Sequence, residues 1–357
     1  MLSQSQHFQP VPTALPASPD DDTVLYTRIV CISDTHGKHR KVVIPKCDIL
    51  IHGGDFTRCG EAQTITDVAD LFSEVLQEGI AKKIICIAGN HEISFHPGCY
   101  DRNWGKFHFK DKSKKLEDAT YARDYLKDRC TYLEDESIIY NNIHFFGSPW
   151  SPTFGNCWAF NMHRHEIHSK WDQIPNDADV LITHGPPLGR CDLARGGIRA
   201  GCVNLLEQVQ ARIRPRLHVF GHIHEDPGCS FDGSTLYINA SSCNLKYQGE
   251  NPCIVVDLPT DLKESPRLVV PRCALSGIDV LNWLKDHGYQ KVYPFFENRK
   301  PLLDGSTLIC KDMDLEQIIS LLKMHSFKVQ NGEAVRWHEL RDELVVAILH
   351  LRNDSYK

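Results

Sequence analysis

Five short, β-branched apolar runs in this chain each stop at a polar or glycine-rich turn. Ile29-Val30-Cys31-Ile32 leads into Ser33-Asp34, Ile49-Leu50-Ile51 into Gly53-Gly54-Asp55, and Ile84-Ile85-Cys86-Ile87 into Gly89-Asn90-His91. Val180-Leu181-Ile182 leads into Thr183-His184, and Leu217-His218-Val219-Phe220 into Gly221-His222. A strand with one wet face alternates apolar and polar residues, so runs this continuous suit strands buried on both faces. Between the second and third runs, Val68, Phe72, Val75 and Leu76 recur at helical spacing, and Gly79 closes the stretch. This β-α-β order predicts an α/β fold with parallel strands. Residues 143–146, 236–238 and 254–256 read as further strands of the same core, and the charged, aromatic segment 96–135 as an insertion with helices.

The rest of the chain divides around that core. Residues 1–22 are polar and dotted with proline, with nothing to bury, and read as a disordered leader. The catalytic domain is expected at 23–260 and a linker at 261–274. A small all-α domain is expected at 275–357, where Leu315, Ile318, Ile319 and Leu322 follow Asp314 as N-cap, and Trp337, Leu340, Leu344, Ile348 and Leu351 form an apolar stripe. A net charge of −6 rules out a global basic field, so no nucleic-acid polymer is expected as partner. No apolar run spans a bilayer, so no membrane partner is expected. The 14 cysteines are scattered singly, which suits free thiols in a reducing compartment and gives a cytoplasmic expectation.

The residues that follow the five runs share one chemistry. Asp34, His36, Asp55, Asn90, His184, His222 and His224 are oxygen and imidazole donors, with no thiolate among them, and they suit manganese, iron or zinc. In an open α/β sheet the carboxyl ends of the strands line one crevice, so five distant motifs would converge there. Asp34 and His36 are two apart, as are His222 and His224, and in extended chain each pair points one way. Taken singly, an Asp after a strand is more often a turn or cap, and a lone His a packed or surface residue. Co-occurrence of all five motifs, in order and with complementary donors, overturns those readings. His52, His39, His96, His163, His165 and His168 stay with the ordinary reading. Residues 156–161 offer an aromatic wall, and the loop between Cys191 and Cys202 could overhang the site. Aspartates or other polar groups are expected to fix the imidazole tautomers.

The strings Asp34-Thr35-His36, Gly54-Asp55, Gly89-Asn90-His91-Glu92, His184 and Gly221-His222-Ile223-His224 resemble the five-block signature of the calcineurin-like metallophosphoesterases. Gly147-Ser148-Pro149-Trp150 and Thr183-His184-Gly185-Pro186-Pro187 narrow the resemblance to the metallophosphoesterase-domain-containing group. The resemblance implies a four-layer α/β/β/α sandwich and two divalent metal ions, manganese first, with iron and zinc as alternatives. It implies that Asp34, His36, Asp55 and His224 hold one metal and Asp55, Asn90, His184 and His222 the other, with Asp55 bridging. It implies His91 as the catalytic general acid, and a phosphodiesterase that acts on nucleotide-like phosphodiesters such as cyclic nucleotides by attack of metal-bound hydroxide. The tail, with Trp283, Tyr293, Phe296 and Asp304-Gly305, resembles a sterile alpha motif domain, which implies self-association or a protein partner. The alternatives are a protein or small-molecule phosphomonoesterase, and a scaffold that uses the helical domain.

Overall fold

The computed structural model describes residues 13–14, 25–107, 116–155 and 157–269. The chain forms two compact units, one of residues 1–13 and 21–268 and the other of residues 14–20 and 269–357. The first holds every motif from Asp34 to His224. The all-α domain expected at 275–357, with its sterile-alpha-like pattern, lies outside the described residues. In chain order the main elements of the first unit are β1 (Tyr26–Ile32), β2 (Ile49–His52), α1 (Ala62–Gln77), β3 (Lys83–Cys86), α2 (Pro97–Phe107), α3 (Leu116–Lys127), β4 (Glu136–Tyr140) and β5 (Ile143–Ser148). They continue with β6 (Val180–Thr183), α4 (His168–Trp171) just before it, α5 (Val203–Gln208), β7 (Leu217–Phe220), β8 (Gly228–Phe231), β9 (Leu236–Asn239) and β10 (Ile254–Pro259).

Two sheets face each other. In the first, β1, β2 and β3 are parallel neighbours, and β10 runs antiparallel beside β1. The second has the order β8-β9-β7-β6-β5-β4, with β5, β6, β7 and β9 parallel. The two-residue period of a strand decides which side chains meet. Ile29, Cys31, Ile49, Ile51 and Ile85 of the first sheet pack into one core with Phe145, Val180, Ile182, Leu217 and Val219 of the second. The alternate residues Leu181, Phe220 and Tyr237 turn outward and are covered by Trp171 of α4 and Leu205 of α5. On the outer side of the first sheet, α1 packs on α3 and β3, with Val68 and Phe72 fully buried. The result is the four-layer α/β/β/α sandwich.

Three details differ from the sequence reading. The five motif strands do not share one open sheet: β1, β2 and β3 belong to the first and β6 and β7 to the second. The motifs converge because both sheets end on the same rim. Two short strands also fall in segments read as unstructured, Thr13–Ala14 in the leader and Arg267–Val269 in the linker. Strands this short are held by backbone hydrogen bonds, which leave no apolar period to read.

One histidine of the sandwich carries a pH prediction. His218 of β7 is fully buried, and its Nε2–H donates to Thr183 Oγ1 at 2.9 Å. Among the described residues its Nδ1 has no partner, and burial pushes the imidazole down to about 3. The folded state therefore binds the proton more weakly than an unfolded chain, whose histidine titrates near pH ~6.5. This contribution to stability is complete above ~6.5 and is lost as pH falls towards 3, by roughly 3 kcal/mol at pH ~4.5. Chelator-stripped protein should show a falling urea midpoint across that window, with a shallower fall in His218→Gln.

Candidate metal centre

The turns after the five strands hold their side chains in place with unusual backbone. Asp34, His36, Asp55 and His222 all sit in the left-handed region, with φ of 50°, 43°, 52° and 70°. Each non-glycine residue held this way costs about 1–3 kcal/mol, and such strain gathers at functional sites. The turns interlock: Asp34 N–H donates to Gly54 O at 2.9 Å and His36 N–H to Asp55 O at 3.0 Å. Two glycines are needed for close approach. A Cβ at Gly221 would collide with the Asp34 carboxylate, and one at Gly89 with the side chains of Asp55 and His184.

The seven donors named from sequence meet at this rim. Asp34, His36 and His224 form one group of converging ligand atoms, and Asp55, His184 and His222 a second, with atoms within 4.8 Å of one another in each. Asn90 joins the second group through Oδ1, 3.0 Å from His184 Nε2. Asp55 Oδ2 lies between the groups, 3.3 Å from His184 Nε2 and 3.9 Å from His36 Nε2. His91 also stands 3.9 Å from that oxygen through its Nε2.

The tautomers follow from what the other ring nitrogens touch. His36 Nδ1 donates to Thr57 O at 2.9 Å, His184 Nδ1 to Gly53 O at 3.0 Å, and His224 Nδ1 to Asn244 O at 3.2 Å. His91 Nδ1 donates to Arg58 O at 2.5 Å. Backbone carbonyls do this work; of the aspartates or other polar groups expected from sequence, it is the latter. A carbonyl cannot donate, so in each neutral ring the lone pair is left on Nε2, aimed into the site.

That arrangement fits divalent metal. With both Nδ1 atoms occupied, His36 Nε2 and His224 Nε2 face each other at 3.1 Å beside Asp34 Oδ1, which lies 3.2 Å from His224 Nε2, and a proton on His224 or a divalent cation would hold these donors together. His184 Nε2 faces the oxygens of Asn90 at 3.0 Å and Asp55 at 3.3 Å, a place that a proton holds in the metal-free protein and that a cation would take. Burial, together with neighbouring His91 and His224, holds His36 neutral at about 4, and burial and His184 hold His222 neutral at about 3. Burial would lower His184 too, but the negative charge of Asp55 and then Asp34 outweighs it and raises the imidazole to about 9. Burial opposes ionisation of Asp55 as well, and the histidines around it hold its carboxyl well below the usual range. The Asp34 carboxyl, also resisted by burial, is held low by its hydrogen bond to His224. Ionised carboxylates and neutral imidazoles are the forms that ligate a hard divalent ion.

Three residues without a role from sequence complete the site. The buried Glu92 carboxylate accepts from Asp55 N–H, Gly89 N–H, Thr57 N–H and Thr57 Oγ1–H at 2.7–2.8 Å, tying the turns after β2 and β3 together. Burial, then Asp55, push its carboxyl up to about 8, while those donors pull the other way. A cavity of about 300 Å³ opens over the donors. Phe154 and Tyr247 line it with Trp158, which stacks on His91 with ring centroids 4.1 Å apart. Trp158 lies in the segment read as an aromatic wall. Phe154 and Tyr247 stand on irregular loops and have no periodic signal. The loop after His184 does overhang the site: Ala194 and Ala200 line the same cavity. His52 is strand-end packing, buried against Phe56 with its Nε2 on Thr35 Oγ1.

A two-sheet sandwich with carboxylates, an amide and imidazoles gathered at one rim defines a metal-dependent phosphoesterase. The chain belongs to the calcineurin-like phosphoesterase family, whose model matches residues 27–226. It is 42% identical over 259 residues to Metallophosphoesterase domain-containing protein 1 of Homo sapiens, covering 71% of this chain and 76% of that protein, with the same figures for the Mus musculus protein. It is 38% identical over 243 residues to a UPF0046 protein of Caenorhabditis elegans, covering 68% of this chain and 79% of the other. A solved structure described as a novel archaeal phosphodiesterase aligns over 68% of this chain and 98% of its own, at 16% identity and a TM-score of 0.32. No described helix is long and apolar enough to cross a membrane.

Proposed function

We propose that this protein is a phosphodiesterase that holds two divalent cations, manganese in the first place, and hydrolyses diesters of nucleotide size, cyclic nucleotides included. The observation that carries the reading is the convergence of His36 Nε2 and His224 Nε2, 3.1 Å apart, on the Asp34 carboxylate, with Asp55 Oδ2 linking this group to His184. Asp34, His36, Asp55 and His224 would hold one cation, and Asp55, Asn90, His184 and His222 the other. Bound there, the pair would neutralise the phosphoryl oxygens and allow water to act as a nucleophile near neutral pH.

The chain's own groups do the rest. Nδ1–H of His91 is held by Arg58 O, so in the doubly protonated ring the acid needs, the second proton is on Nε2, towards the cavity. From there it reaches the leaving oxygen as general acid, while Trp158 holds the ring. Trp158, Phe154 and Tyr247 offer faces to a base. The one arginine in the described lining, Arg164, donates to the carbonyls of Ala200 and Gly201. Among the described lining residues no guanidinium is then left without a partner to clamp a dianionic terminal phosphate, and Arg58 lies over the Tyr247 ring, which favours a diester over a monoester.

The test compares kcat/KM for bis(p-nitrophenyl) phosphate and p-nitrophenyl phosphate after chelation and reloading with manganese. Faster diester turnover supports the reading. Preference for the monoester would replace it with a phosphomonoesterase. Inertness towards both, with any divalent ion, would end it. A panel of cyclic and linear nucleotides then ranks substrates.

A further inference from the structure

A second cleft, of about 830 Å³, begins beside Trp158, which stacks on His91. Trp158 and Thr153 line both it and the cavity over the metal donors, so the two spaces adjoin. Its apolar side is aromatic: Trp150 and Phe160 stand edge to face at 5.7 Å, and His96 packs on Phe160 at 5.2 Å. Its polar side is cationic. Arg102 and Lys106 lie four residues apart on α2, hence on one face of the helix. Among the described residues Arg102 has no carboxylate partner. Lys106 Nζ donates to Asn103 Oδ1 at 3.2 Å and to Cys157 Sγ at 3.0 Å, neither of which cancels its charge. Glu166 is the one carboxylate in the described lining, and it stands 3.6 Å from His165. This is a positively charged, ring-lined cleft on a chain with net charge −6.

We propose that the cleft is the subsite for the departing half of the substrate, and that it takes a leaving group with an aromatic ring and a phosphate of its own, as in a nucleoside monophosphate. The inference rests on the phosphodiesterase reading and deepens it. If His91 protonates the leaving oxygen, the departing group lies on the Trp158 side, where the cleft begins. In the reaction the bond from phosphorus to the leaving oxygen breaks. The oxygen of water bonds to phosphorus, the leaving oxygen takes the Nε2 proton of His91, and the proton lost by water returns to solvent. The departing ring then rests among Trp158, Trp150 and Phe160, and its phosphate pairs with Arg102 and Lys106. A single-ester substrate with a small alcohol reaches none of these groups.

The test uses the full chain loaded with manganese and a dithymidine dinucleotide with and without a terminal 5′-phosphate, which differ only in charge on the half that leaves through its 3′-oxygen. Charge-assisted contacts of this kind are expected to raise kcat/KM for the phosphorylated dinucleotide about tenfold or more over the plain one. The double variant Arg102→Gln, Lys106→Gln should bring that ratio close to one, and Lys106→Glu below one. Bis(p-nitrophenyl) phosphate is the internal standard. If it is not hydrolysed, the phosphodiesterase reading fails. If it is hydrolysed but the wild-type ratio is already near one, or the variants leave the ratio unmoved, the subsite is overturned and the parent reading stands.

Discussion

Asp55→Asn will empty the centre of divalent metal and abolish turnover while the fold survives. Asp55 Oδ2 is where the two groups of donors meet, 3.3 Å from His184 Nε2 and 3.9 Å from His36 Nε2. Its other oxygen accepts from His91 N–H at 2.8 Å and so aims the proposed acid. The amide keeps the shape but removes the negative charge and turns an N–H₂ towards rings that offer lone pairs. The loss in affinity should exceed the roughly 10–100-fold that removal of an outer-shell partner costs a metal site. The turn itself is held by other bonds, Asp55 N–H to Glu92 and Asp34 N–H to Gly54 O, so the metal-free variant should still unfold in one cooperative step, at a lower temperature because the buried pair of Asp55 and His184 is lost. Metal analysis beside kcat/KM checks this. A variant that kept its metal and its rate would show that the shared position of Asp55 does not matter.

His91→Ala should behave in the opposite way, keeping metal and losing rate. The imidazole is locked by its Nδ1–H on Arg58 O and its stack on Trp158, and it lies 3.9 Å from the Asp55 oxygen. An alkoxide is a poor leaving group without a proton, and a positioned acid is worth roughly 10²–10⁴-fold in rate. A nitrophenolate leaves with little help. The variant should therefore lose far more activity on an alkyl or nucleoside diester than on bis(p-nitrophenyl) phosphate. Equal losses on both substrates would remove His91 from the acid role and return it to structure.

The donor set was legible because each donor ends a run that could only be a buried strand. Asp34, Asp55 and His184 announce themselves by position, and Gly89 and Gly221 mark where a side chain would not fit. The core was legible for a related reason, since Ile29 and Cys31, Ile49 and Ile51, and Val180 and Ile182 stand at two-residue spacing in runs with no polar break. The division of the motif strands between two sheets was not, because pairing is a long-range choice that a strand's own residues do not encode. Nor were the tautomer partners, because Thr57, Arg58, Gly53 and Asn244 act through their carbonyls and any residue could stand there. Glu92 was visible in its motif, yet its role depends on three N–H groups that meet only in the fold. Tyr247, at φ 56° on a loop beside His36, has neither period nor motif to mark it.

The most direct test is a titration of chelator-stripped protein with manganese, followed by calorimetry or equilibrium dialysis at neutral pH. Donors from five turns that truly share one rim should take up two equivalents per chain, with protons released as His184 gives up the one it carries in the metal-free state. A chain that takes up no manganese, zinc or iron under these conditions would contradict the account at its base.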